Sequence, residues 1–163
     1  MDHIVEPVPL PEPVVDMVGV HGGELVWLAA LKSGRVAQWR IWGAATIDDD
    51  ARPIPGAVPD YSVKLLDGLE GVQAISRCGV VACAVTRGGD VVQWAPDPRG
   101  PPRHKRVLKG MGQPVAVAGG LDFVCALQTD GRVKCEGDNR QGQCGVGELS
   151  DRLEEAQYVV SPE

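Results

Sequence analysis

Residues 115–133 read Val115-Ala116-Val117-Ala118-Gly119-Gly120-Leu121-Asp122-Phe123-Val124-Cys125-Ala126-Leu127-Gln128-Thr129-Asp130-Gly131-Arg132-Val133. Residues 18–36 align with this stretch without a gap: V-x-V-x-G-G, an apolar run containing alanine, then S/D-G-R-V. A third copy lies between them. There Ile75 takes the place of Val117, Cys83-Ala84-Val85 that of Cys125-Ala126-Leu127, and Gly88-Gly89-Asp90-Val91 that of Asp130-Gly131-Arg132-Val133. Asp-Gly between alternating apolar residues signals a hairpin, because tight turns need positive φ. Alternation with period two, as in Val91 and Gln93 against Val92 and Trp94, argues for strands on either side. Hairpins are expected at Ser33-Gly34, Gly88-Gly89 and Asp130-Gly131.

Working outward, a short apolar anchor precedes each copy: Val8-Pro9-Leu10, Val63-Lys64-Leu65 and Val107-Leu108-Lys109. Tyr158-Val159-Val160 reads as a fourth anchor with no copy behind it. The units become residues 8–62, 63–106 and 107–157, with a terminal strand at 158–160, in one domain over 1–163. Repeats of about 40–50 residues with four strands each suit propeller blades. The expected fold is therefore all-β, an incomplete β-propeller-like array of about three four-stranded blades.

Composition agrees. The 163 residues include 21 Gly, 13 Pro and 24 Val but only 7 aromatics, a poor recipe for helices. A net charge of −6 argues against a general nucleic-acid binder and against attraction to anionic membrane. No apolar run approaches a membrane span. Met1-Asp2-His3-Ile4-Val5-Glu6-Pro7 has neither a basic n-region nor an apolar h-region, so a cytoplasmic chain is expected. Five cysteines, an odd number, then suggest thiols rather than a disulfide framework. Cys125 and Cys135 flank one hairpin. An odd-length loop sets them face to face, where they can bridge, and a two-residue turn points them to opposite faces; in a reducing compartment free thiols are expected. No cysteine or histidine spacing matches a metal site, and no cofactor is expected.

The segment Val124-Cys125-Ala126-Leu127-Gln128-Thr129-Asp130-Gly131-Arg132-Val133-Lys134-Cys135-Glu136-Gly137-Asp138-Asn139-Arg140-Gln141-Gly142-Gln143-Cys144-Gly145 resembles the regulator of chromosome condensation repeat. Ala126, Leu127, Asp130, Gly131, Val133, Gly137, Asn139, Gly142, Gln143 and Gly145 sit at the positions that mark the pattern. Glu136 departs from its tryptophan and Cys144 from its leucine, whereas Trp39 and Trp94 keep the tryptophan in the other copies. The first two copies lack the G-x-N-x-x-G-Q-x-G tail. The resemblance implies a propeller scaffold whose relatives include guanine-nucleotide exchange factors and an inhibitor of β-lactamases. It carries no activity over by residue, because only scaffold positions match. Relatives close a ring with more blades than three, so exposed blade faces and strand edges imply a partner, identical, different or the rest of a longer polypeptide; the alternative is a stable arc of three blades with polar ends.

Catalytic motifs are missing: there is no G-x-S-x-G, H-E-x-x-H or G-x-x-x-x-G-K-[ST]. The five-residue run Gly19-Val20-His21-Gly22-Gly23 reads as a repeat corner, not a phosphate loop. Asp138 and Asn139 are expected to cap turns through local side-chain bonds. Candidate partner-binding residues are Trp42 and Asp48, Asp49 and Asp50 in the insert 41–61, and Arg103, Lys105 and Arg106 at the end of the insert 95–106. Tyr158, Val159 and Val160 join them as a strand without a blade. Long loops on a rigid scaffold carry recognition. The expected function is a non-enzymatic protein–protein binding module, a subunit or adaptor in a complex. The alternative is an inhibitor or regulatory subunit of an enzyme, its acidic surface steering it to a basic cleft. A hydrolase or redox protein using Cys78, Cys83 or Cys144 is the weakest of the three.

Overall fold

The structure, a computed structural model, describes residues 8–21, 25–42, 60–97 and 99–160. Its strands are β1 (Val14–His21), β2 (Leu25–Leu31), β3 (Val36–Trp39), β4 (Ile41–Trp42), β5 (Asp60–Tyr61), β6 (Lys64–Leu66) and β7 (Val72–Cys78). They continue as β8 (Val81–Thr86), β9 (Val91–Ala95), β10 (Arg103–Leu108), β11 (Pro114–Gly119), β12 (Phe123–Gln128), β13 (Val133–Asp138) and β14 (Arg152–Tyr158). Among the described residues there is no helix. The fold is all-β and forms an incomplete propeller of three blades. One sheet, β1-β2-β3-β6, is the first blade; a continuous sheet in the order β10-β9-β8-β7-β11-β12-β13-β14 holds the second, β7 to β10, and the third, β11 to β14, joined at their inner strands; β4 and β5 form a separate ribbon. Adjacent strands within a blade run antiparallel.

The three expected hairpins are present and alike. In each, the residue before the loop donates its amide across the turn: Leu31 to Arg35, Thr86 to Asp90 and Gln128 to Arg132, at 2.8–2.9 Å. Each loop holds three residues and ends on a glycine at positive φ, which is 92° at Gly34, 84° at Gly89 and 83° at Gly131. A turn closed by a left-handed glycine is the usual three-residue hairpin. The odd loop sets Cys125 directly opposite Cys135, and a disulfide joins them. A second disulfide links Cys78 to Cys83, which lie diagonally across the β7–β8 hairpin, where Ser76 is the direct partner of Cys83. The expectation of free thiols is thus corrected for four of the five cysteines. Cys144 alone is free, and it is buried.

The anchors take a different place from the one their order suggests. Lys64–Leu66 pairs with β3, so it ends the first blade instead of opening the second. Val107 and Leu108 end β10, the outer strand of the second blade, and Tyr158 ends β14, the outer strand of the third. Each blade thus starts at its inner strand and finishes at its rim, over residues 14–66, 72–108 and 114–158. The terminal stretch has a blade of its own after all. Past β14, the amide of Val159 donates to the Val133 carbonyl and that of Val160 to the Gly145 carbonyl, folding the tail back on the third blade.

One register also departs from the gapless alignment. The partner of Ala84 is Ile75 and that of Ala126 is Val117, but Ala29 pairs with Met17, not Val20. The inner strand β1 runs further beyond its bulge than β11 does, and this slides the equivalence by three residues.

Sheets with two apolar faces stack. Leu28, Ala30 and Val36, on the far face of the first blade, meet Ile75, Ala82, Ala84, Val92 and Trp94, on the near face of the second. Cys83, Val85 and Val91, on the second blade's far face, meet Val117, Val124 and Ala126 of the third. Burying each large side chain stabilises by about 1.5–3 kcal/mol. The inner strands are tied as well: the Ile75 amide donates to Asp16 Oδ2 at 2.9 Å. A single parallel bridge joins Gly119 to Cys78.

Candidate interaction surface

The basic strand β10 lies on the rim of the second blade, and its side chains are engaged within the chain. Arg103 Nη2 reaches Asp97 Oδ2 at 2.6 Å. The Lys105 ammonium donates to the Gly68 carbonyl at 2.8 Å. Arg106 donates through Nε to Gln93 Oε1 at 2.7 Å and lies 3.5 Å from Glu136 Oε1 on the third blade. Asp97 is held below the ordinary carboxylate range, first by the Arg99 amide and then by the charge of Arg103. The basic cluster thus fastens the rim of one blade to its neighbours.

Glu136 is the buried carboxylate of this seam. Counting from the turn glycines, it stands where Trp94 and Trp39 stand in the other blades, facing the blade before it. Burial pushes its carboxyl pKa up, and the charge of Arg106 opposes that rise. Trp94 fills the same place at the first junction beside Gln38, whose amide nitrogen donates to the Asp97 carbonyl at 2.6 Å. The repeat alignment sets Glu136 in the place of Trp39 and Trp94, where a carboxylate at a blade interface needs a partner, and Arg106 is that partner; Gln38 carries no such signal in the sequence.

Asn139 caps its turn as expected. It is fully buried, its Nδ2 donates to the Glu148 carbonyl at 2.8 Å, and its Oδ1 accepts the Cys144 amide at 3.1 Å. Asp138 is bound by Arg140, which holds its carboxyl below the ordinary range. This loop, residues 139–150, covers the outer part of the third blade's far face, with Cys144 and Val146 against Cys135 and Leu153. Burial pushes the Cys144 thiol up.

The other candidates are scattered. Trp42 is in β4, its backbone paired with Asp60, on the ribbon inserted between β3 and β6 of the first blade. Asp48, Asp49 and Asp50 lie outside the described residues. Tyr158 has the Arg132 guanidinium 4.1 Å above its ring and the Lys134 ammonium at 4.7 Å. Val159 and Val160 are exposed beside the loop that holds Gly145 and Gly147. Among the described candidates, Arg103, Lys105 and Arg106 lie on β10 at the rim of the second blade and Tyr158, Val159 and Val160 at the end of the third blade's outer strand.

A different surface stands out: the two end faces of the arc. On the far face of the third blade, Leu127 is 40% exposed and Cys125 and Val133 are half-buried. Their counterparts Ala30, Leu28 and Val36 in the first blade, and Val85, Cys83 and Val91 in the second, are fully buried under the next blade. At the other end, the near face of the first blade is covered. Val8 and Leu10 lie against Ala29, Leu31, Ala37 and Trp39, and Trp27 stacks on Trp39 with ring centres 6.3 Å apart.

Three meandering blades with one covered and one open end define a segment of a repeat propeller. Residues 115–143, the heart of the third blade, match the Regulator of chromosome condensation (RCC1) repeat. Solved structures with the same fold include human WBSCR16, at 20% identity and a TM-score of 0.57 over 89% of this chain and 39% of that one. Yeast RCC1 (Prp20), solved with Kap60 bound, aligns at 15% identity and a TM-score of 0.52 over 85% of this chain and 34% of that one. Prp20p from Saccharomyces cerevisiae, described with its binding properties to Gsp1p and histones, aligns at 16% identity and 0.53 over 88% and 38%. The chain spans well under half the length of each. No curated protein sequence matches it.

Proposed function

We propose that this chain is a non-enzymatic protein-binding module, a subunit or adaptor built on a three-blade propeller arc. The observation that supports this is the far face of the third blade, where Leu127 is exposed and Cys125 and Val133, packed against Cys135 and Leu153, are only half-buried, at positions that are fully buried in both other blades. An apolar sheet face of this kind is a docking surface for another protein. A net charge of −6, and the engagement of Arg103, Lys105 and Arg106 within the chain, favour a protein over nucleic acid or membrane as partner. Three-blade rigidity suits the role, because the seams between blades hold the face in one shape.

The test is purification from the native source, followed by titration of the purified partner against the chain and against Leu127→Arg. A saturable complex at fixed stoichiometry that the variant weakens about tenfold or more supports the reading. A chain that purifies with no stoichiometric protein partner, identical or different, overturns it. A cytoplasmic setting is proposed with it. The cysteine pairs test that setting, because a reducing compartment holds them as thiols in the extracted protein.

A further inference from the structure

At both internal junctions the structure shows what covers the positions of Cys125, Leu127 and Val133: the near face of the following blade. Ala82, Ala84, Val92 and Trp94 do so at the first junction, and Val124 and Ala126 at the second. The chain carries one more near face of this chemistry. On the first blade Ala29 stands where Ala84 does, Ala37 where Val92 does, and Trp39 where Trp94 does. Trp27 replaces the smaller Ala82 and lies over Trp39 half-exposed, adding an aromatic anchor.

In the structure this near face is covered by the chain's own residues 8–13 and, at its edge, by Val63. The cover is light. Val8 and Leu10 are only half-buried, and Met17, beside them on the same face, remains 50% exposed. The segment is fastened to one hairpin loop: the Lys32 amide donates to the Pro13 carbonyl at 2.9 Å, the Ser33 amide to Glu12 Oε2 at 3.1 Å, and Glu12 pairs with Arg35.

We infer that the open far face of the third blade binds the first blade of a second copy of this chain, and that residues 8–13 are a removable cap that gates this contact. The contact joins unlike surfaces, head to tail. Two such contacts related by a two-fold axis close a ring. Twice three blades makes six, within the range of about four to eight seen in closed propellers. Pairing two far faces instead sets Leu127 against Leu127 and supplies no small-residue face. This inference rests on the binding-module reading of that face and names its occupant.

Sedimentation equilibrium tests it on the full chain, on the cap-loosened double variant Val8→Ser/Leu10→Ser, and on that variant carrying Leu127→Arg. Near-UV circular dichroism serves as the folding control. Dimerisation at least about tenfold tighter in the cap-loosened chain is expected, with return to monomer on adding Leu127→Arg. Glu12→Ala cuts the tie to Arg35 without touching the core and is expected to act in the same direction, so the test survives a double variant that misfolds. In a mixture, the cap-loosened Leu127→Arg chain still offers its first blade and is expected to bind the cap-loosened parent one to one. Cap-loosened chains that stay monomeric while folded overturn the inference, as does association indifferent to Leu127→Arg, or a mixture in which the arginine variant binds nothing. A different protein that binds the parent but not Leu127→Arg, with no self-association in any variant, removes this inference and leaves the binding-module reading standing. Loss of both removes both.

Discussion

Arg106, on the rim of the second blade, meets Glu136 of the third at 3.5 Å, in the place where the first junction has Trp94 fully buried. One blade seam is closed by an indole and the next by an ion pair. The ion pair brings a pH dependence that the indole lacks.

Burial raises the Glu136 pKa above its ordinary value of 4.5. The fold therefore favours the protonated form. The stabilisation this gives is fully present below the unfolded value and is lost as pH rises through the raised one. Relative to Glu136→Gln, the parent should become steadily less stable as pH rises from 4.5 towards neutrality. Urea midpoints of both proteins across that range measure it, and a flat difference would mean that Glu136 is not held in the seam. Arg106→Ala should cost about 1 kcal/mol at neutral pH, given that the arginine is half-exposed, and less at pH 4.5.

Two turn glycines of the same conformation should respond differently to alanine. At Gly89 a Cβ meets nothing within 4 Å, so Gly89→Ala should cost only the left-handed backbone penalty, about 1–2 kcal/mol. At Gly34 the same Cβ falls 2.8 Å from the Gly71 backbone, in the linker to the second blade. Gly34→Ala should cost about 1–3 kcal/mol more than Gly89→Ala. Equal losses in chemical denaturation would place the two turns in equivalent surroundings and contradict the first junction.

Asn139→Ala should destabilise by about 1–3 kcal/mol, because it strands the buried Cys144 amide and removes the bond to the Glu148 carbonyl. Asn139→Asp keeps the acceptor and loses the donor, so it should fall between the parent and the alanine variant. Thermal melts of the three order them. A neutral alanine variant would show that this loop does not depend on the side chain.

Thiol counting addresses the cysteines. Air-oxidised after purification and then unfolded without reductant, the protein should titrate a single thiol, Cys144, and with reductant five. Folded, Cys144 should react far more slowly than a free peptide thiol, being buried with its pKa pushed up. Reducing both bridges should lower stability by about 2–4 kcal/mol, a typical effect of disulfide loss. Five thiols without reductant would return all five cysteines to the reduced state.

Much of this architecture is written locally. Residues 115–133 and their two echoes place the hairpins, because a glycine at the end of a three-residue loop and alternating apolar residues act within a few positions of one another. The turn capped by Asn139 is likewise local, its bonds running five and nine residues along the chain. The anchors were visible as strands but not as rim strands. An isolated V-x-L pairs equally well with the strand before it or after it, and only the assembled sheet chooses.

By itself the sequence determined the class: three repeats, each a meander of strands, from turn glycines and period-two alternation whose physics is short-range. The tertiary structure decided what depends on distance. It set Cys125 opposite Cys135, since one residue more or less in the loop reverses every side chain beyond it. It brought Arg106 to Glu136 across the second junction, a pair within reach only once the sheets stack, whereas Arg103 meets Asp97 within one hairpin connection. It also separated the two ends of the arc, covering one with Val8 and Leu10 and leaving Leu127 open at the other, a contrast that arises only from which sheet lies against which.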